Sequence, residues 1–335
     1  MEAVDVRGRF VWHELMTRDV AGAKKFYSKL TGWKPQPWPL DPSYTVCHSD
    51  AGPTAGIFAI AADMPAEMPA HWVSYVGTRD VDGTVAAAVR AGASVLKGPD
   101  DIKGAGRYAV LQDPQGAVFA ILDPENARAE TQGVPALGTF SWHELATSDN
   151  EAAFAFYSSL FGWDAIRRHD MGPSGVYLVF GSNGVERGGM WIKPAEMPGP
   201  PNWLPYVHVP SADAGATTAA STGGKTLVPP MEVPGGSRIS TFMDPTGAAF
   251  AIQSMPAGAA TAPPEKEAAS PKAATPKPKA KAKAKPAAKA KAKPKGKPKA
   301  KAKAKPKAKA KAKAKAKARA RPAMKKKSRA VRRKK

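Results

Sequence analysis

The hexapeptide Phe10–Leu15, FVWHEL, returns as FSWHEL at Phe140–Leu145. Trp12 and Trp142 stand 130 positions apart, and the match continues at a spacing of 131: Trp72 with Trp203, Arg107 with Arg238, Asp113-Pro114 with Asp244-Pro245. Whatever one copy folds into, the chain must contain twice. A period of this length is too long for a stacked solenoid, whose units run to roughly 20–50 residues. It is the size of a whole domain, and residue types kept in both copies mark what the unit uses.

Charge divides the chain in another way. Of 51 basic and 28 acidic residues, 32 and two respectively fall within 257–335, so that segment carries +30. The remaining 19 and 26 leave the body at −7, and the whole-chain value of +23 describes neither part. The body therefore gives no sign of binding nucleic acid. The segment 257–335 is almost entirely Lys, Ala, Pro and Arg and has too few apolar groups to offset the entropy of ordering, which predicts disorder in isolation. Alternating Lys and Ala also brings like charges together at every i, i+4 pair of a helix. The single cysteine, Cys47, excludes an intrachain disulfide. No stretch approaches the roughly 20 apolar residues of a membrane span, and the first residues have no apolar signal core. The expected setting is the cytoplasm, with no membrane contact.

Within each copy the periodicity divides once more. Phe10–Met16 is apolar and β-prone. Asp19 then caps a helical pattern carried by Ala23, Phe26, Tyr27 and Leu30, which stops at Gly32. Strand-like runs follow at Tyr44–His48 and Gly56–Ile60, then at Trp72–Gly77. A second helix is expected over Val81–Ala91, and Val95–Lys97, Tyr108–Gln112 and Ala117–Leu122 complete the half. The pattern is βαβββ twice, and the second copy repeats it. Asp113-Pro114-Gln115-Gly116 and Asp244-Pro245-Thr246-Gly247 suit type I turns between antiparallel strands, which favours turn chemistry over catalysis for the two aspartates.

Three features together resemble the vicinal oxygen chelate superfamily of glyoxalases, bleomycin-resistance proteins and extradiol dioxygenases. They are the strand followed by Asp and a helix with an aromatic pair (Phe26-Tyr27, Phe156-Tyr157), the Gly-Trp step (Gly32-Trp33, Gly162-Trp163) and the later DPxGAxFAI stretch. The resemblance implies an α+β fold in which four βαβββ modules form two cup-shaped domains, 8–125 and 138–256. These are joined by a linker, 126–137, and followed by the basic segment 257–335.

Many members of the superfamily hold a divalent metal inside the cup. The places that match their ligand positions are here Trp12 and Trp142, Val73 and Leu204, Ala120 and Ala251. None offers the oxygen, nitrogen or sulfur donor that a cation needs, so neither a metal nor another cofactor is expected. Side chains alternate along a strand. If Trp12 faces the cup, Glu14 does too, and His13 faces away as a packed core imidazole; Trp142, Glu144 and His143 repeat the arrangement. Glu14 and Glu144 are thus the candidate anchors or general bases, since burial raises a carboxyl pKa. Trp12, Trp72, Tyr75, Trp142, Trp203 and Tyr206 are candidate ligand contacts. Arg107 and Arg238 are either clamps at the cup mouth or surface arginines paired with an acid.

Two classes of function follow for the body. One is a metal-free receptor for small apolar or aromatic molecules. The other is an enzyme, lyase-like or dioxygenase-like, that uses Glu14 and Glu144 or an atypical metal site. Family resemblance alone does not choose between them. The segment 257–335 is similar to the Lys/Ala/Pro-rich tails of linker histones and bacterial histone-like proteins. A flexible polycation of this kind is expected to bind DNA or RNA without sequence preference, with Lys307, Lys309, Lys311, Lys313, Lys315, Lys317, Arg319 and Arg321 in its longest proline-free basic run. Association with the nucleoid is the corresponding expectation. A monomer suffices, because four modules in one chain already close two cups.

Overall fold

A computed structural model describes residues 4–130, 133–256 and 258, which belong to one compact unit. The segment expected to bind nucleic acid, including Lys307 to Arg321, lies outside the described residues. The first half runs β1 (Phe10–Thr17), α1 (Val20–Thr31), β2 (Lys34–Trp38), β3 (Asp41–Ser49), β4 (Gly52–Ala59), β5 (His71–Gly77), α2 (Val81–Arg90), β6 (Ser94–Ile102), β7 (Gly106–Gln112) and β8 (Val118–Pro124). The second half repeats it as β9 (Phe140–Thr147), α3 (Asn150–Phe161), β10 (Asp164–Asp170), β11 (Val176–Ser182), β12 (Val185–Ile192), β13 (Asn202–His208), α4 (Ala212–Ser221), β14 (Lys225–Glu232), β15 (Arg238–Met243) and β16 (Ala249–Ser254). Among the described residues no helix is long and apolar enough to cross a membrane.

Each half forms one eight-stranded mixed sheet, in the orders β2-β3-β4-β1-β5-β8-β7-β6 and β10-β11-β12-β9-β13-β16-β15-β14. The two modules of a half meet at their first strands, which pair antiparallel, with His13 opposite Ser74 and Glu14 opposite Val73. The fold class is therefore α+β, with two domains of paired βαβββ modules. One strand has no counterpart in the periodicity. Lys34–Trp38 contains Pro35 and Pro37, which read as a breaker, yet it lies at the sheet edge, where prolines need not donate to a neighbour. The helix ends follow their local chemistry. The Asp19 carboxylate accepts from the Gly22 amide at 2.8 Å, and α1 stops at Gly32 in the left-handed conformation, φ +76°.

The helices cover the convex faces of the sheets, and there the two domains share their cores crosswise. Leu15, Phe26, Tyr27 and Trp33 of the first module and Trp72 of the second pack with Val207, Phe242, Phe250 and Ile252 of the fourth. Phe119 and Ile121 of the second module pack with Tyr157, Phe161, Trp163 and Trp203 of the third and fourth. Burying one such side chain contributes roughly 1.5–3 kcal/mol. Residues from both halves build each cluster, so neither half encloses its own convex core.

Polar bonds repeat the crossing. The turn aspartates use one oxygen for their own turns: Asp113 accepts from the amides of Gln115 and Ala117, both at 2.9 Å, and Asp244 from those of Thr246 and Ala248. The other oxygen accepts a tyrosine hydroxyl from the opposite domain, Tyr157 to Asp113 at 2.9 Å and Tyr27 to Asp244 at 2.7 Å. Each tyrosine oxygen in turn accepts an indole N–H, from Trp203 and Trp72 respectively. The turn reading of these aspartates is thus incomplete, because they also join the domains.

Candidate functional site

Strand parity sorts the candidates. Trp12, Tyr75, Ala120 and Leu122 lie in one cluster on the concave face of the first sheet, with Val11, Val73, Tyr108 and Val110. Trp12 lies opposite Tyr75, and Tyr75 beside Ala120. Glu14, two residues beyond Trp12, faces the same cup. Trp72 does not: it is three residues from Tyr75, so the pleat sends it to the convex side, where its indole N–H donates to Tyr27 at 2.9 Å. Trp203 repeats this placement through Tyr157. The expectation that these two tryptophans line the cups is corrected accordingly, since residues an odd number apart on a strand stretch without a bulge do not share a face.

Arg107 and Arg238 also belong to the outside. Arg107 grips Asp82, in the first turn of α2, through Nε and Nη2 at 2.7 and 3.0 Å, and reaches Asp101 through Nη1 at 3.0 Å. Arg238 makes the same fork on Asp213 of α4, with both bonds at 2.8 Å. Of the two readings of these arginines, the geometry is that of exposed ion pairs at helix N-termini, and the clamp at the cup mouth is corrected.

The floor of the first cup is a hydrogen-bonded carboxylate. Tyr44 donates to Glu14 Oε1 at 2.6 Å and Tyr75 donates to Oε2 at 2.5 Å, while the Trp12 indole donates to the Tyr44 oxygen at 2.9 Å. Glu14 keeps partial exposure, although packed atoms surround most of it. That burial pushes its carboxyl pKa up, against the opposing pull of the aromatic donors. Tyr44 reaches Glu14 only because the β4 residue beside Glu14 is Gly56, where a Cβ would stand 1.8 Å from the Tyr44 hydroxyl.

The second cup repeats the design. Glu144 accepts from Tyr177 at 3.0 Å and from the Trp191 indole at 3.0 Å, and Tyr206, in the register place of Tyr75, faces the same carboxyl. Trp142 donates to Tyr177 at 2.9 Å, and Gly189 clears space for that ring. Burial raises the Glu144 pKa as well. Tyr44 and Tyr177 are absent from the sequence candidates. They are 133 apart, off the repeat spacing of 130 and 131, because β10–β11 is longer than β2–β3 by the residues around Gly172–Ser174. Comparing the copies with that gap would have found the pair.

The histidines on the opposite face of β1 and β9 meet one another. His13 Nε2 and His143 Nε2 are 2.7 Å apart between the domains, with Phe140 stacked on His13 and Phe10 on His143 at centroid distances of 3.5 Å. The Arg187 carbonyl lies 3.1 Å from His143 Nδ1 and fixes the proton there, so His143 Nε2 accepts from His13. Burial holds both imidazoles neutral, with the His143 pKa lowered to about 3.

The places of the superfamily's metal ligands fit no metal. Trp12, Val73 and Ala120 face the first cup, Leu204 lies opposite Glu144, and Ala251 lies beside Tyr206. Indole, isopropyl and methyl groups carry no donor for a cation. Among the described residues no group of three or more His, Cys, Asp or Glu side chains is placed to hold an ion.

Similarity to known proteins follows the same division of the chain. Residues 12–122 match the family model of a glyoxalase-like domain, and residues 139–252 match that of the glyoxalase/bleomycin resistance protein/dioxygenase superfamily. "Putative glyoxylase CFP32" of Mycobacterium bovis is 33% identical over 245 residues, covering 72% of this chain and 92% of its own. "Anthracycline biosynthesis protein DauV" of Streptomyces sp. (strain C5) is 31% identical over 272 residues, covering 73% and 92%. Among solved structures, the Mn(II)-bound glyoxalase from Novosphingobium aromaticivorans superposes with a TM-score of 0.52 at 19% identity, over 74% of this chain and 82% of that one. The 2,3-dioxygenase LapB from Pseudomonas sp. KL28 superposes at 0.54 with 11% identity, over 75% and 93%. At such identities the two structures speak for the fold alone.

Proposed function

The chain belongs to the glyoxalase/bleomycin resistance protein/dioxygenase superfamily, and on that footing we propose that its two cups each hold a small, largely apolar molecule against the carboxyl group of Glu14 or Glu144. One observation carries this reading: a carboxylate suspended between aromatic donors on the floor of a concave sheet, built twice from the same residue types. Aromatic walls supply apolar contact, and a single polar group fixes orientation, which is the usual composition of a small-molecule site. Metal chemistry enters no step, because the donor set at the superfamily's ligand places does not support it. Calorimetric titration of the protein with a metabolite library tests the proposal. The expected result is saturable binding below about 1 mM, weakened at least tenfold by Glu14→Gln or Glu144→Gln; a library with no ligand in that range refutes it.

A second reading rests on the raised pKa of the two carboxyls. A glutamate shifted toward neutrality is suited to take or give a proton at a bound substrate, which makes each cup a metal-independent, lyase-like site. Turnover by the purified protein that Glu14→Gln and Glu144→Gln abolish without unfolding would select this reading. Dioxygenase-like and glyoxalase-like substrates are the first to try, given the family to which the chain belongs. Failure across such a panel, alongside ordinary ligand binding, leaves the receptor.

The segment 257–335 adds a second partner to the proposal. With 32 basic against two acidic residues, it is suited to hold the body near DNA or RNA through release of condensed counterions, without sequence preference. Gel shifts of the full chain and of residues 1–256 at two salt concentrations test this; equal binding by both removes the idea.

A further inference from the structure

The first cup has a charge problem that its own residues leave unsolved. The Trp12 indole donates to Tyr44, and Tyr44 and Tyr75 donate to the two oxygens of Glu14. These donors stabilise an ionised carboxylate but bring no positive charge. Among the described residues no lysine, arginine or histidine forms an ion pair with Glu14. The charged pair that Tyr108 senses, Lys97 and Asp100, is self-neutralised at 2.9 Å. Glu14 thus has aromatic donors but no cationic partner among the described residues, and a cation bound beside it would favour the ionised form that burial disfavours.

The walls are made of ring faces. On one side Trp38 meets Tyr44 edge-on at 5.9 Å, and Tyr44 stacks with Phe58 at 5.7 Å. On the other side Tyr75 packs with Trp12 and Tyr108. Trp38 also lies close to the β6–β7 turn, with its Cζ2 3.5 Å from where a Cβ at Gly104 would stand. Each ring presents an electron-rich face, and a cation surrounded by several such faces is attracted by all of them. From the carboxylate between two aromatic walls we infer that the first cup receives an organic cation, a quaternary or protonated amine carried on an apolar body. The inference deepens the receptor reading above and rests on it.

The second cup is the less suited of the two. Ile239 stands in the register place of Tyr108, and Gln253 in that of Leu122. The Gln253 side-chain oxygen accepts from Ser141 at 2.8 Å. One wall there exchanges an aromatic face for an aliphatic group and a neutral hydrogen-bonding pair, which suits an uncharged polar ligand.

The test uses choline and its uncharged isostere, 3,3-dimethylbutan-1-ol, titrated into the full chain and read by tryptophan fluorescence and calorimetry. The expected result is one choline per chain, bound at least tenfold more tightly than the isostere. Glu14→Gln should weaken choline at least tenfold and erase the preference. Asp50→Asn, which removes the same charge from an exposed site, should change neither. If Glu14→Gln fails to fold, Trp38→Ala, beside Tyr44, replaces it, with an expected loss of at least threefold. Equal or tighter binding of the isostere overturns the cation inference and leaves the small-molecule reading standing. Absence of binding by both probes, or choline affinity unchanged in the folded Glu14→Gln or Trp38→Ala protein, also overturns it, while the library titration judges the broader reading separately.

Discussion

Tyr27 and Asp244, 217 positions apart, are joined by a buried 2.7 Å hydrogen bond. The tyrosine belongs to the first helix of one domain and the aspartate to the last turn of the other. The same oxygen of Tyr27 accepts from Trp72 at 2.9 Å, so one hydroxyl links a sheet, a helix and the opposite domain. Tyr157, Asp113 and Trp203 make the equivalent bridge.

Replacing Tyr27 with Phe leaves the ring in place, deprives Asp244 of a donor and leaves the buried Trp72 N–H unpaired. The expected loss is about 2–3 kcal/mol of unfolding free energy, the range for removing one partner of a buried bond to a charged group. Tyr157→Phe should cost a similar amount, and the double variant their sum, because the two bridges share no residue. Denaturant unfolding measures all three; a loss below about 0.5 kcal/mol for both single variants would contradict the account.

The His13–His143 contact makes stability fall in acid. Both folded-state pKa values are lowered, that of His143 from 6.5 to about 3. The unfolded chain therefore binds protons below pH 6.5 that the folded chain refuses. The stabilising contribution is complete above about pH 6.5 and is lost progressively as pH falls toward 3. For His143 alone this amounts to about 2 kcal/mol at pH 5. Glu14 and Glu144, whose folded pKa values are raised, act in the opposite sense and gain as pH falls. Comparison with His143→Gln isolates the histidine: the stability advantage of the native chain over the variant should narrow by about 2 kcal/mol between pH 7 and pH 5. A gap that stays constant would show that the imidazole protonates freely in the folded state.

Gly56→Ala tests how the cup floor is built. The new methyl would fall 1.8 Å from the Tyr44 hydroxyl, so the ring must leave Glu14. Ligand affinity in the first cup should drop at least tenfold. The Glu14 pKa should rise further, since Tyr44 is the strongest of the donors holding it down. NMR titration of the Glu14 carboxyl and ligand calorimetry follow the two effects. Native affinity in Gly56→Ala would mean that Tyr44 has no part in the site.

For the segment 257–335, an electrostatic mode of binding fixes the salt response. If on the order of ten phosphates are neutralised, log K should fall against log salt with a slope near −9. A slope near zero for the full chain would exclude counterion release as the driving force.

Much of the molecule is readable residue by residue. Asp19 and Gly32 bound a helix because capping depends on a few adjacent groups. Asp113-Pro114-Gln115-Gly116 makes its turn for the same reason. Trp12 and Glu14 share the cup face because alternation along a strand is a local rule, and that rule would also have excluded Trp72 as a neighbour of Tyr75. Lys34–Trp38 escaped because prolines read as breakers until the strand is known to be an edge. Tyr44 and Tyr177 escaped because an insertion shifts their spacing to 133.

By itself, the sequence determined that a domain-sized unit occurs twice and that each copy is βαβββ repeated, and its resemblance to the superfamily implied that the usual metal positions hold Trp, Val, Leu and Ala. These follow from the order and chemistry of the residues along the chain. Only the tertiary structure decided that Glu14 is suspended between Tyr44 and Tyr75, that Arg107 turns outward to Asp82, and that His13 finds His143 across the domain boundary. Such meetings depend on strand register and on how distant elements pack. Those are set by the free energy of burying the whole surface at once, which no local window of sequence contains.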